Sequence, residues 1–252
     1  MKEGLHTTQE VVYQVLPPSV IEIICQENAD EMYSDTLTYI IEAFGQKDWF
    51  ISLEELEWKF DSEFCNRFKY IKGFHACRIT DETSYKNHGL QGLDDDRLLK
   101  IAVARFSNYT SKEKIIKACA KTDIPKFDRG VYFFFTLETT NNPSHNHYLK
   151  CGCETLQGLV WDLGLSNKGI LASQGRSCSI ECNIPTEQVR STFRCDIWKQ
   201  LITLYFKKKA EWKCKTRFSD WCFTTESDVE PKYIEHFHYI DDSEFFYRLQ
   251  LH

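Results

Sequence analysis

Three short runs concentrate the residues of this 252-residue chain that could do chemistry. Gly73-Phe74-His75-Ala76-Cys77-Arg78 sets an imidazole in an apolar run and follows it with a guanidinium. His88-Gly89-Leu90 comes next, and Gly130-Val131-Tyr132-Phe133 opens an aromatic run on a glycine. Ser144 and Tyr148 lie downstream. Three carboxylates compete for a catalytic role: Glu226 at the end of Cys222-Phe223-Thr224-Thr225-Glu226, Glu154 after Cys151-Gly152-Cys153, and Glu181 between Ile180 and Cys182. Imidazole and hydroxyl groups hydrogen-bond a hydroxylated ligand. A phenol ring stacks on a flat heterocycle, and a carboxylate stabilises positive charge that develops during reaction. Each residue also has a structural alternative. His75 and Tyr132 would serve as core, Glu154 as a first-turn residue favoured by the helix dipole, and Glu226 as a solvated strand end. If Ile180 and Cys182 face the core, alternation turns Glu181 towards solvent.

Other groupings are weaker. Cys151-Gly152-Cys153 and Cys178-Ser179-Ile180-Glu181-Cys182 supply four thiols, but the first pair is too tightly spaced for an ordinary structural zinc site. His145 with His147, and His236 with His238, would project to one side of an extended segment. Buried free thiols and polar loop histidines are the expected reading, with no metal site assigned and a cysteine-liganded zinc protein kept as an alternative. A cysteine nucleophile would need a histidine nearby in space. The chain has no Gly-rich phosphate loop, no Gly-x-Ser-x-Gly elbow and no Rossmann fingerprint.

The elements that must position these residues read as follows. Val11–Val15 and Val20–Cys25 suggest strands, or a strand and a turn. Acidic residues at Asn28-Ala29-Asp30-Glu31 open a helix through Met32, Leu37, Ile40, Ile41 and Phe44, stopped at Gly45. Ser52-Leu53-Glu54-Glu55 is a capping box that starts a second helix. Phe74–Cys77 predicts a strand, Asp94–Asp96 an exposed turn, and Leu98–Phe106 a helix or a strand. Ser111–Ala120 predicts a helix, Val131–Leu137 a buried strand, and Glu154–Leu163 a helix ended by Gly164. Ser177–Ile184 predicts a strand ended by Pro185, and Ile197–Phe206 a helix or long strand. Asp220–Thr225 predicts a strand, and Val229–Tyr239 extended chain. The mixture is α+β. One domain is expected over 1–252, with 1–68 a mainly helical lobe and 69–252 a β-rich body.

Composition bounds the class. Hydrophobic residues are 42%, charged residues 27% and aromatics 14%, enough for a packed core. A net charge of -6 lacks the basic excess of a nucleic-acid binder. Lys207-Lys208-Lys209 with Lys213, Lys215 and Arg217 is the one local basic patch, read as a solvated helix end. No apolar run reaches the ~20 residues of a membrane span, and the first residues lack a signal-peptide core. The expected location is cytoplasmic. Eleven cysteines, an odd number in apolar settings, read as buried free thiols rather than a disulfide framework.

The motif order resembles the histidine-tyrosine-glutamate branch of the ADP-ribosyltransferases, the poly-ADP-ribose-polymerase-like group. His75-Ala76-Cys77-Arg78 is similar to its His-Gly-Thr-Arg strand, Gly89-Leu90 (or Gly92-Leu93) to its Gly-Leu pair, and Gly130-Val131-Tyr132-Phe133 to its Gly-Ile-Tyr-Phe strand. The resemblance implies a split β-sheet core with N-terminal helices and NAD as substrate. It implies catalytic roles for His75, Tyr132 and Glu226, with Glu154 and Glu181 as rivals. Around NAD it implies His75 on the nicotinamide ribose, Tyr132 and Tyr148 on the nicotinamide ring, and contributions from Arg78, Gly89 and Ser144. The acceptor would be a protein, a nucleic acid or a small molecule. Ala76 and Cys77 depart from the pattern, and a thiol donates more weakly than a threonine hydroxyl.

Overall fold

The computed structural model describes residues 2–26, 36–122, 129–142, 144–165, 169–209 and 222–241. The expected helix start at Asn28–Met32, the basic residues Lys213, Lys215 and Arg217, and the first residues of the Asp220 strand lie outside them. The chain forms two compact units, one of Met1–Ile71 with Pro185–Phe218, the other of Lys72–Ile184 with Ser219–His252.

The first unit is helical: α1 (Lys2–Val15), α2 (Pro18–Gln26), α3 (Thr36–Gly45), α4 (Leu53–Arg67) and a late helix, Ser191–Lys209. The expected strands at Val11–Val15 and Val20–Cys25 are helices instead. Val11, Val12 and Leu16 are buried together, as are Val20, Ile21 and Ile24. Val12 and Leu16, like Val20 and Ile24, stand four residues apart, the spacing of a helical stripe, which a short apolar run cannot reveal alone. Pro18 opens α2, where its missing N–H is harmless. Ser52 caps α4, its hydroxyl accepting from the Glu55 amide at 3.1 Å. Leu56, Phe60 and Phe64 then face inward. The late helix resolves the Ile197–Phe206 ambiguity, since Trp198, Ile202, Tyr205 and Phe206 form one buried stripe. Trp198 stacks on Phe60 with ring centroids 5.4 Å apart. Its core belongs to the N-terminal helices, so the helical lobe expected over 1–68 also takes in this segment.

The second unit carries a five-stranded sheet: β1 (Tyr70–Ile79), β2 (Tyr132–Phe134), β3 (Arg176–Pro185), β4 (Cys222–Thr224) and β5 (Ile234–Tyr239), ordered β4-β2-β1-β3-β5. β1–β2, β2–β4 and β3–β5 are antiparallel. Thr186 N–H bonds the Lys69 carbonyl at one end of β1–β3. At the other end Gly175 abuts the Ile79 carbonyl, so this pair is antiparallel too. The fold class is α+β.

The second unit also holds α5 (Glu82–His88), α6 (Asp95–Phe106), α7 (Lys112–Cys119), α8 (Leu137–Thr140), α9 (His147–Cys151), α10 (Glu154–Asp162) and α11 (Gly169–Ala172); Ser191–Lys209 of the first unit is α12. Asp94 is the cap of α6 rather than a mid-turn residue, accepting from Arg97 N–H, and Asp95 and Asp96 fill its first turn. The long strand expected over Val131–Leu137 stops at Phe134, because Thr136 caps α8 immediately afterwards. α6, α7, α10 and α11 share a separate core built on Leu98, Phe106, Ile115 and Leu159. No helix among the described residues is long and apolar enough to cross a membrane.

Candidate functional site

Register sorts the site residues onto two faces of the sheet. Phe74 pairs with Phe134, and Phe134 with Cys222. In antiparallel strands directly opposed residues share a face, and neighbours in one strand alternate. Lys72, Phe74, Ala76, Tyr132, Phe134 and Thr224 therefore share one face. His75 stands on the other, 6.0 Å from the Phe133 ring. Phe133 in turn stacks on Phe223. The same face carries Gly73, where a Cβ would strike Phe223 and Phe133.

His75 and Tyr132 thus meet through backbone, not through their rings. His75 Nδ1–H donates to the Tyr132 carbonyl at 2.9 Å. A carbonyl only accepts, so Nδ1 carries the proton. The imidazole is crowded by its neighbours, and that desolvation lowers its pKa, the backbone bond opposing. The ring is consequently neutral near pH 7.

Arg78 is buried, and its guanidinium is given to the chain itself. Nε donates to the Gln174 carbonyl at 3.0 Å, Nη2 to Gly175, and Nη1 to the Leu149 carbonyl and Ser177 Oγ at 3.1 and 2.9 Å. It ties the turn before β3 to α9. Gly89 and Gly130 are close-approach positions. Gly89 has φ 74° and touches the Val229 carbonyl, so a Cβ would lie 1.9 Å from that oxygen. A Cβ on Gly130 would lie 1.9 Å from the Thr225 carbonyl. Gly89, the C-cap of α5, and Gly130, just before β2, both lie against the Thr225–Val229 segment. Glu226 sits in that segment and is exposed. The segment is pinned at Asp228, which takes a bidentate pair from Arg97 at 2.9 and 2.8 Å. Ser144 is exposed, its amide donating to Asn142 Oδ1.

Tyr148 packs, through Phe134, on the sheet face that also carries Tyr132. Phe134 lies 5.9 Å from the Tyr148 ring and 5.1 Å from His145. His147 packs 4.0 Å from Tyr148. The Tyr148 hydroxyl donates to Glu154 Oε1 at 3.0 Å, and His147 Nε2 contacts the same oxygen at 3.2 Å. Burial pushes the Tyr148 pKa far up, and the Glu154 charge, then Cys222 and Tyr132, push it the same way. Tyr148 therefore stays a hydrogen-bond donor across the physiological range.

Glu181 departs from its expected solvent position. Alternation does turn it away from Ile180 and Cys182, but the face it meets is covered, and Glu181 is 8% exposed. Lys72 Nζ donates to Oε1. His238 Nε2 donates to Oε2 at 2.8 Å. Lys72 first, and His238 after it, hold the carboxyl below the ordinary glutamate range. Lys72 is the partner that sequence reading missed; its only signal was its even spacing from Phe74. His236 and His238 do share a face, with rings 6.1 Å apart. Among the described residues no three His, Cys, Asp or Glu side chains gather to hold a metal, and every cysteine is a free thiol.

The lowered Glu181 pKa predicts an acid-sensitive fold. Its contribution is present above the unfolded glutamate value of about 4.3. It is lost as pH falls through the lower folded value. Urea midpoints measured from pH 7 down to pH 3 should drop less steeply for Glu181→Gln than for the native chain. Equal slopes would show that the Lys72–Glu181–His238 contacts add nothing to stability.

The chain matches no protein-family model, no curated protein and no solved structure. The site must be read from its own geometry.

Proposed function

We propose that this protein is an NAD-directed ADP-ribosyltransferase-like enzyme. Its nicotinamide site lies against Tyr132 and Tyr148, and Glu154 supplies the carboxylate. The observation that carries this reading is that α9 lays Tyr148, through Phe134, on the sheet face that carries Tyr132, with Glu154 bonded to the Tyr148 hydroxyl. The two rings offer a flat heterocycle its stacking surface. The Glu154 charge stands where positive charge would develop as the bond between nicotinamide and ribose stretches. Tyr148, held protonated, orients that carboxylate rather than competing for a proton.

The assignment moves the carboxylate from Glu226 to Glu154, since Glu154 is the one that accepts from the Tyr148 hydroxyl. It also changes the part given to His75. A neutral imidazole on the opposite face is better suited to hold the start of β2, through the Tyr132 carbonyl, than to touch the ribose.

Calorimetric titration with NAD, paired with an assay for released nicotinamide, tests the proposal. The native chain should bind NAD, and Tyr148→Ala should weaken binding about tenfold, the effect of one lost stacking contact. No heat of binding at millimolar NAD would end it. A second reading, a non-catalytic interaction module, draws on Arg78 and His75 being bound to their own backbone. Binding without nicotinamide release would favour that reading.

A further inference from the structure

One titratable cluster on the same face is unused by this reading. Lys72 on β1, Glu181 on β3 and His238 on β5 lie side by side, with Ser179 directly across from His238 in the β3–β5 register. We infer that His238, oriented by Glu181, is the base that accepts the proton of a hydroxyl-bearing acceptor in the transfer proposed above. The inference rests on that reading and names its second substrate class.

The tautomer comes first. Glu181 is ionised and can only accept, so the proton of neutral His238 sits on Nε2. Nδ1 keeps its lone pair and makes no hydrogen bond to the described residues. Lys72 neutralises Glu181 from the other side. The carboxylate therefore orients the imidazole and stays charged, the arrangement that makes a histidine an effective base.

A second observation points to a ligand. Ser179 is fully buried, and its hydroxyl has no hydrogen-bond partner among the described residues. A buried hydroxyl left unpaired is unfavourable. Here it lies opposite a histidine side chain that is 33% exposed and open to a substrate. The groups facing His238 are Glu181 and Ser179 from β3, Lys72 and Phe74 from β1, and His236 from its own strand.

Continuity links this cluster to the nicotinamide site. Phe74 lies 6.1 Å from His238 and pairs across the sheet with Phe134, which packs on Tyr148. Acceptor chemistry follows from charge. A carboxylate acceptor needs no base, and Lys72 takes up the Glu181 charge that would otherwise hold a guanidinium. A hydroxyl needs the base and is indifferent to the charge. In the step, the acceptor O–H bond breaks and its proton goes to His238 Nδ1. The oxygen bonds the ribose anomeric carbon as that carbon's bond to the nicotinamide nitrogen breaks. That bonding pair leaves with neutral nicotinamide, and the imidazolium returns its proton to solvent.

The test uses the full chain with NAD and methanol as the acceptor probe. Methyl-ADP-ribose, released nicotinamide and NAD affinity are each measured against pH. His238→Ala should lower methyl-ADP-ribose formation about 100-fold with NAD affinity unchanged. It should also abolish the fall in rate on the acid side, and added imidazole should restore part of the rate. Glu181→Gln, which keeps the shape of the hydrogen bond, should shift that acid limb rather than remove turnover. A His238→Ala chain that binds NAD and transfers to methanol at the native rate, with the native pH profile, overturns the inference alone. A native chain that binds no NAD overturns the proposed function, and this inference with it.

Discussion

Replacing Glu154 with glutamine is expected to slow nicotinamide release from NAD by about 10²–10³-fold, the usual effect of removing one group aimed at developing charge. NAD affinity should change by less than threefold. The glutamine keeps the size of the side chain and can still accept from the Tyr148 hydroxyl, which donates at 3.0 Å. What is lost is the charge. Glu154 is exposed and makes no buried pair, so the melting temperature should hold steady. A catalytic loss can then be told from a folding loss. Glu226→Gln, in the carboxylate first favoured from the motif order, should leave turnover unchanged. The opposite pattern, with Glu226→Gln inactive and Glu154→Gln normal, would return the catalytic role to the β4 end. Single-turnover nicotinamide release, with calorimetric NAD titration of each variant, decides between them.

Arg78→Leu is expected to destabilise the protein by about 3–5 kcal/mol, because truncating a buried, fully engaged charged donor strands its acceptors. Nε and Nη2 satisfy the Gln174 and Gly175 carbonyls, and Nη1 bridges Leu149 and Ser177. Those contacts fasten the turn before β3, and α9 with it. For a chain of this size the loss corresponds to roughly 10 °C in melting temperature, measured by far-UV circular dichroism. Arg78→Lys should recover little, since a single ammonium cannot reach acceptors arranged for a planar fork. Were Arg78 a ligand for the dinucleotide, the leucine variant would keep its melting temperature and lose NAD affinity. Tyr148 follows Arg78 in this respect: α9, which carries it, is held by the same guanidinium through Leu149.

Local signals in the chain translated directly into local structure. Ser52, followed three residues later by Glu55, marked the start of α4, and the cap forms through the Glu55 amide. Ser111 caps α7 in the same way. Gly164 stops the α10 segment with φ 68°, a conformation other residues adopt at a cost. Pro185 ends β3. Backbone hydrogen bonds and caps act within a turn or two of chain, so these features were legible without knowing what lay opposite. Where the same run suited two periods the sequence misled, as at Val11–Val15. The choice there was made by burial against α4 and α12.

Which functional groups meet was a matter of strand register, and register couples residues far apart along the chain. His75 and Tyr132 read as partners in the motif order, yet pairing of Phe74 with Phe134 sends them to opposite faces, because side chains alternate on a pleated strand. The same alternation correctly turned Glu181 away from Ile180 and Cys182. It could not tell that Lys72 and His238 wait on the far side, since neither is near Glu181 in sequence. Residue chemistry and short-range geometry were written in the order of amino acids. The company each charged or aromatic group keeps was set by long-range pairing, whose energy depends on partners that no local window contains.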